Sequence, residues 1–218
     1  VENKLIRKDK SIIIPGSGVN IQEFKPMKVK RNGNAFRFLL IARMLWDKGI
    51  EEYVEAARII KQKYKNVEFL MLGATGVNNP SAIPEEKIKE WEKEGVIKYL
   101  GTTDNVKIEI AKADCIVLPS YREGTSRVLL ESASMEKPII TTNTTGCNNI
   151  VKDGLNGFLC KVKDAKDLAD KMEEMLSLDE ETRKLMGKRG REKILKEFDE
   201  KIVIKKYLEL IRECLIET

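Results

Sequence analysis

Residues 113–142 read ADCIVLPSYREGTSRVLLESASMEKPIITT. The stretch opens on an apolar, β-branched run too short for a helix, ADCIVLPS, and then crosses a polar turn. Apolar residues at helical spacing follow from Ser126 to Glu136, and a second apolar run, KPIITT, closes it. Strand, turn, helix and strand in that order make one βαβ crossover, the connection that parallel strands require.

The same alternation extends outward. SIIIPG (11–16), FRFLLIAR (36–43), VEFLMLG (67–73) and VIKYLG (96–101) read as strands buried on both faces, with helices at Gly49–Lys63, Glu85–Lys93 and Val106–Lys112. The expected fold is α/β: a Rossmann-like three-layer α/β/α sandwich around a mostly parallel, doubly wound sheet. Beyond Gly157 the pattern turns helical at Ala165–Ser177, Glu180–Lys196 and Glu200–Glu213. Asp164 and Asp179 stand where helix caps belong, and Gly187 and Gly190 fall inside the second pattern, where they weaken it.

At 218 residues the chain has ample length for one large core. No apolar run approaches the roughly 20 residues that span a bilayer, and the polar opening VENKLIRKDK has no apolar centre of a signal peptide. A soluble chain is expected. Net charge is only +5, spread along helical faces, which suits anionic small molecules and gives no sign of nucleic acid binding. Cys115, Cys147, Cys160 and Cys214 form no CxxC pair and the chain has no His, so a zinc site has few ligands. They read as reduced, mostly buried thiols of a cytoplasmic protein.

Ligands of such sheets bind beyond the carboxyl ends of the strands. The residues there are Gly16-Ser17-Gly18, Arg43, Gly73-Ala74-Thr75-Gly76, Gly101-Thr102-Thr103, the segment Ser120 to Ser126, and Thr144-Thr145-Gly146. Any one such loop is a turn like many others. Six on one edge suggest a backbone that approaches a ligand rich in oxygen atoms.

Two carboxylates flank the turn EGTSRVLLE. With Thr125 or Ser126 as cap, the following helix offers free N–H groups and a positive dipole end to a phosphate. Glu131 lies about 7 Å along the helix at 1.5 Å per residue, roughly the span from a pyrophosphate to a ribose diol. Glu123 would reach the other side of that pyrophosphate. Upstream, RMLWDKG sets Arg43 at a strand end and Lys48 at a helix start, two cations able to neutralise a diphosphate. Each feature also has a plainer reading: Glu131 as a solvated helix residue, Glu123 as a turn acid at a helix start, Arg43 paired with Asp47, and Lys48 on the surface.

Taken together, RMLWDKG, LPSYREGTSRVLLESASMEKPIITTNTTG, the opening IIIPGSGVN and the later DGLNGFL resemble the carboxyl-terminal, donor-binding half of a family 4 glycosyltransferase of the GT-B fold (glycosyl transferases group 1). The resemblance covers nearly the whole chain. It implies a nucleotide diphosphate sugar as substrate, most often UDP-linked hexose or N-acetylhexosamine, transferred with retention in bacterial surface glycan synthesis. It implies that Arg43 and Lys48 hold the diphosphate and stabilise the leaving group, with Glu123 accepting from sugar hydroxyls; these three are the catalytic set. Gly124, Thr125 and Ser126 would surround the sugar and distal phosphate, Glu131 would hold the ribose, and Gly101 and Thr103 would meet the base. Gly18 and Leu130 complete the expected donor contacts. Arg127 stands where many relatives differ, and the resemblance assigns it no role. Neither carboxylate is assigned as a nucleophile.

No cofactor and no metal are expected, because the chain has no Asp-x-Asp pair while two cations stand at the diphosphate. The expected organisation is a linker at 1–10, a donor domain at 11–199 and a final helix at 200–218 that packs on an acceptor domain outside this sequence. The acceptor, lipid-linked or saccharide, would bind that other domain, at the cytoplasmic face of the membrane. The present sequence alone is expected to bind donor and transfer little. A dinucleotide oxidoreductase is set aside, since PGSGVNI carries half of G-x-G-x-x-G, and so is a receiver domain, whose acidic cluster is missing. A regulatory nucleotide-binding module and a nucleotide-sugar epimerase of similar fold stay open.

Overall fold

The strands of this chain are apolar at consecutive positions, so both faces of their sheet need cover. In the computed structural model, which describes residues 12, 14, 16–31 and 33–216, both faces have it. Strands β1 (Phe36–Ile41), β2 (Val67–Leu72), β3 (Lys98–Tyr99), β4 (Cys115–Leu118), β5 (Ile139–Thr142) and β6 (Gly157–Cys160) form one six-stranded sheet. Its order is β3-β2-β1-β4-β5-β6, and every pairing is parallel. The helices are α1 (Ile50–Lys63), α2 (Glu85–Lys93), α3 (Val106–Lys112), α4 (Arg127–Ser134), α5 (Ala165–Ser177), α6 (Glu180–Glu197) and α7 (Glu200–Ile216). The fold is the doubly wound α/β sandwich that the sequence implies.

Alternate strand residues feed two cores. Phe38, Leu40, Phe69, Met71 and Val117 pack with α1, α2 and α5 on one face. Leu39, Ile41, Leu70, Ile116 and Leu118 pack with α3, α4 and α6 on the other. Each fully buried Leu, Ile or Phe stabilises the fold by about 1.5–3 kcal/mol relative to exposure. The chain leaves β1 toward β2 and β3, then returns to add β4 on the opposite side of β1. The order of strand addition therefore reverses between β1 and β4, while all strands stay parallel.

Parts of the sequence reading change. Within 11–16, Ile12, Ile14 and Gly16 carry no strand, while Ser11, Ile13 and Pro15 lie outside the described residues, as does the expected linker 1–10. The turn that follows is held instead by Val19, whose N–H donates to Phe198 O at 2.9 Å and whose carbonyl accepts from Glu200 N at 3.1 Å. VIKYLG shrinks to the two-residue strand β3 at the sheet edge. The reading of an all-helical segment after Gly157 overlooks β6, only four residues long and pairing with β5. Gly157 makes that pairing possible, since a Cβ there would stand 2.2 Å from Ile139 O.

Asp164 and Asp179 cap α5 and α6, accepting from Asp167 N at 2.9 Å and Thr182 N at 2.7 Å. Cys115, Cys147 and Cys160 are buried free thiols, and burial pushes Cys160 up to about 12. The side chain of Cys214 lies outside the described residues. No helix among the described residues is long and apolar enough to cross a membrane. Along α7, Ile204, Tyr207, Leu208, Ile211 and Leu215 form an exposed apolar stripe.

The glycines inside α6 do more than weaken a helix. A Cβ at Gly187 would stand 2.0 Å from Glu136 O, where α6 crosses the end of α4; at Gly190 the nearest atom, Ala133 Cβ, is 3.7 Å away. Helix propensity alone favours Ala over Gly by about 1 kcal/mol, while overpacking against backbone costs about 1–3 kcal/mol. Gly187→Ala is therefore expected to destabilise by up to about 2 kcal/mol, and Gly190→Ala to be neutral or stabilising by up to about 1 kcal/mol. Urea denaturation of the two variants beside the parent checks the contrast.

Candidate functional site

In an open α/β sheet, the crevice lies where strand order reverses. Here that point is flanked by the segments after β1 and β4. After β1 the chain makes a 3-10 turn, Trp46–Lys48, and passes Gly49 at φ 70° into α1. A side chain at position 49 would have its Cβ 2.0 Å from Pro119 O. The positive φ and the missing Cβ let the start of α1 lie directly against the end of β4. Two hydrogen bonds fasten the contact: Tyr121 N and Ser120 Oγ both donate to Asp47 O, at 2.9 and 3.2 Å.

This junction brings Lys48 Nζ to 2.8 Å from Glu123 Oε1, with the two side chains only 17% and 15% exposed. A second tie lies beside it. The Tyr121 hydroxyl donates to Glu52 Oε1 at 2.7 Å, and burial together with that acceptor pushes the phenol well up from its ordinary range. Glu52 Oε2 is buried without a hydrogen-bond partner. Arg43, at the end of β1, is exposed, and its guanidinium makes no hydrogen bond or ion pair among the described residues. Asp47, the partner considered for it, meets Ser81 Oγ at 3.4 Å instead.

The turn before α4 is pinned from two sides. Gly146, at φ 85°, has room for no Cβ: Gly124 O would be 2.2 Å and Glu123 O 2.5 Å away. Its carbonyl accepts from Ser126 N at 3.2 Å. A Cβ at Gly16 would stand 2.7 Å from Thr125 Cβ, so the Gly16–Gly18 turn reaches this edge although no strand precedes it among the described residues. Ser126 caps α4, its Oγ accepting from Leu129 N at 3.5 Å. The expected cap is confirmed, and the N-terminal turn of α4 faces the edge of the sheet with its amides.

Glu131 is not a solvated helix residue. Its side chain is 10% exposed, in a cleft of about 290 Å³ shared with Gly18, Asn20, Glu23, Arg127 and Glu200. Burial raises its carboxyl above the ordinary range, opposed by the Arg127 guanidinium, which reaches Glu131 Oε1 at 3.4 Å from a side chain 75% exposed. Leu130 points the other way: it is fully buried in the core beneath α4, so its side chain supports the site from below. Gly101, at φ 72°, accepts from Gly73 N at 2.8 Å, joining the loops after β2 and β3. Thr103 Oγ1 accepts from Asn105 N at 3.1 Å. Thr102 and Thr103 also line a groove of about 630 Å³ that runs from them along the outer strands, past Leu72, Leu70 and Lys98. Cavity size alone would favour that groove; charge convergence favours the switch point.

Lys48 held against Glu123, an exposed Arg43 at the end of β1 and the capped start of α4 after the same turn are groups suited to a phosphorylated, hydroxyl-rich ligand. The profile of the family described as Glycosyl transferases group 1 matches residues 21–193. The chain belongs to that family. It is 30% identical over 96% of its length to the N,N'-diacetylbacillosaminyl-diphospho-undecaprenol alpha-1,3-N-acetylgalactosaminyltransferase of Campylobacter jejuni, covering 56% of that protein. It is 30% identical over 75% of its length to the capsular polysaccharide biosynthesis glycosyltransferase CapM of Staphylococcus aureus, covering 42% of it. The group 1 chain thus spans about half the length of these curated relatives. Among solved structures, a glycosyltransferase from Rickettsia africae superimposes with a TM-score of 0.85 at 24% identity, over 98% of this chain and 59% of the other. HepE from Anabaena in complex with UDP-glucose gives 0.80 at 19%, over 95% and 58%. These structural likenesses show the fold.

The sequence of this group 1 chain singles out Arg43, Lys48, Glu123 and Glu131 as candidates but does not say how they are held. The Lys48–Glu123 contact, the Tyr121–Glu52 tie and the acids Glu23 and Glu200 around Glu131 all join segments far apart in sequence. Gly49 and Gly146 carried a signal, a glycine directly after a charged or polar turn, but nothing to say what it approaches.

The raised carboxyl of Glu131 has a consequence for stability. The folded state holds that proton more tightly than the unfolded chain, so its contribution is full below the ordinary carboxylate range and is lost as pH rises through the raised folded value. At neutral pH the buried, ionised Glu131 therefore works against folding. Glu131→Gln is expected to raise Tm at about pH 7.5 and to lose that advantage toward about pH 4. Calorimetric melts across that interval check the sign.

Proposed function

We propose that the Lys48–Glu123 crevice binds a nucleotide diphosphate sugar, most often UDP-linked, and that the whole protein transfers the sugar with retention in building a bacterial surface glycan. The observation that carries this reading lies at the strand-order reversal: Lys48 held by the Glu123 carboxylate, with the start of α4 following the same turn and with Arg43, at the end of β1, making no side-chain hydrogen bond or ion pair among the described residues. Arg43 forks onto phosphate oxygens while Lys48 acts as a point charge, and together they stabilise the diphosphate as it leaves. Gly124, Thr125 and Ser126 donate around the distal phosphate and sugar. Glu123 accepts from the sugar hydroxyls, and Glu131, shielded in its cleft, accepts from the ribose diol. Gly101 and Thr103 meet the base, and Gly18 closes the ribose side.

The two cations supply positive charge that a divalent ion would otherwise bring, so the proposed site works without metal. The names of the relatives support the glycan context. One is named for an alpha-1,3 N-acetylgalactosaminyl transfer involving a diphospho-undecaprenol-linked sugar, another for capsular polysaccharide biosynthesis. A lipid-linked or saccharide acceptor is proposed accordingly, bound by a partner domain at the cytoplasmic membrane face, with the apolar stripe of α7 as the surface that meets this domain.

Calorimetric titration of the chain with UDP, GDP, ADP and their sugar conjugates, with and without EDTA, tests the reading. One nucleotide family is expected to bind with the same affinity in chelator. Lys48→Ala and Glu131→Ala should each weaken it by about tenfold or more, since a hydrogen bond to a charged group contributes about 1.5–3 kcal/mol. Binding that neither substitution alters would place the nucleotide elsewhere and overturn the proposal.

A further inference from the structure

Lys48 and Glu123 are assigned to different parts of one ligand, yet in the structure they hold each other at 2.8 Å. Neither charged end has another hydrogen-bond partner among the described residues. Both backbones are fixed, by Gly49 against Pro119 O and by Gly146 against Glu123 O, so the pair opens only by side-chain rotation.

A diphosphate arriving at the start of α1 competes for Lys48. Once it takes the ammonium, Glu123 is a largely shielded carboxylate with its partner gone. Leaving a charged group in that state is unfavourable. Hydroxyls on a sugar beyond the distal phosphate can donate to the carboxylate and relieve the loss. A nucleoside diphosphate without sugar cannot.

Resting on the donor-site reading, we propose that the Lys48–Glu123 ion pair is a specificity device that favours the sugar-loaded nucleotide over the spent nucleoside diphosphate. Loaded donor exchanges the pair for two new partners. Spent nucleotide breaks it and strands Glu123, so re-formation of the pair helps to expel the product once the sugar has left. Glu123 then acts on sugarless nucleotide only through Lys48, and that dependence separates this role from a plain hydroxyl acceptor and from general charge repulsion.

The test is a double-mutant cycle on binding, read by calorimetry with UDP and UDP-glucose, and with GDP and GDP-mannose in parallel. Its proteins are the parent, Glu123→Gln, Lys48→Met and the double variant, with Glu123→Ala as a second probe and thermal melts to confirm folding. Glu123→Gln is expected to tighten the nucleoside diphosphate by about tenfold, the measure of one stranded charge, and to leave the sugar conjugate unchanged or weaker. In the Lys48→Met background the same substitution should no longer tighten the diphosphate. If Glu123→Gln weakens only the sugar conjugate, Glu123 is a hydroxyl acceptor and the device does not exist. If it tightens the diphosphate equally with Lys48 absent, the effect is repulsion and the proposal fails. Parent protein that binds neither nucleotide pair would sink the donor-site reading and this inference together, whereas parent binding with a flat cycle sinks the inference alone.

Discussion

The close approach of Gly49 to Pro119 governs the rest of the site. Two segments that leave neighbouring strands at the reversal of the sheet are brought into backbone contact, with 2.0 Å between Pro119 O and the place a Cβ would take. Nothing larger than hydrogen fits, and the left-handed φ at this position is one that glycine adopts at least cost. From that contact follow the hydrogen bonds to Asp47 O, the meeting of Lys48 with Glu123 and the tie between Tyr121 and Glu52. Each side chain is positioned by backbone that is itself held, so the geometry does not depend on long flexible arms finding each other.

The two-faced core makes such an edge possible. With apolar side chains covered on both sides of the sheet, the polar groups of the chain collect where the strands end. There the glycine-rich turns after β1, β2, β3, β4 and β5 brace one another: Gly73 against Ala42 O, Gly101 O against Gly73 N, Gly146 against Gly124 O. A braced edge can keep charged groups partly shielded, as Glu123, Lys48 and Glu131 are. Shielding strengthens their interaction with a ligand and raises the cost of leaving any of them alone.

Much of this was legible in the sequence. Helices α2, α3 and α5 fall where apolar spacing put them, and the caps Asp164, Asp179 and Ser126 sit where local hydrogen bonding wants them. Such features depend on residues within a turn of one another, so a linear reading captures them. β6 escaped because four residues led by a glycine carry little periodic signal; pairing with β5 makes the segment a strand. The run at 11–16 misled for the opposite reason, being apolar without a strand at Ile12, Ile14 or Gly16. Gly187 looked like a flaw in α6 until Glu136 O was found pressed against it.

By itself, then, the order of residues determined the α/β alternation, the helices, the family and the residue types that gather at the strand ends, since each is written in local spacing or in a contiguous motif. Only the tertiary structure decided which of those residues touch. Lys48 and Glu123 lie 75 positions apart, and their contact depends on strand order and on two glycines that let backbones meet. The shielding that raises the carboxyl of Glu131 is likewise a property of the cleft around it, built from segments near residues 18, 131 and 200. Charge in a folded protein is set by what surrounds it in space, and no spacing along the chain contains that.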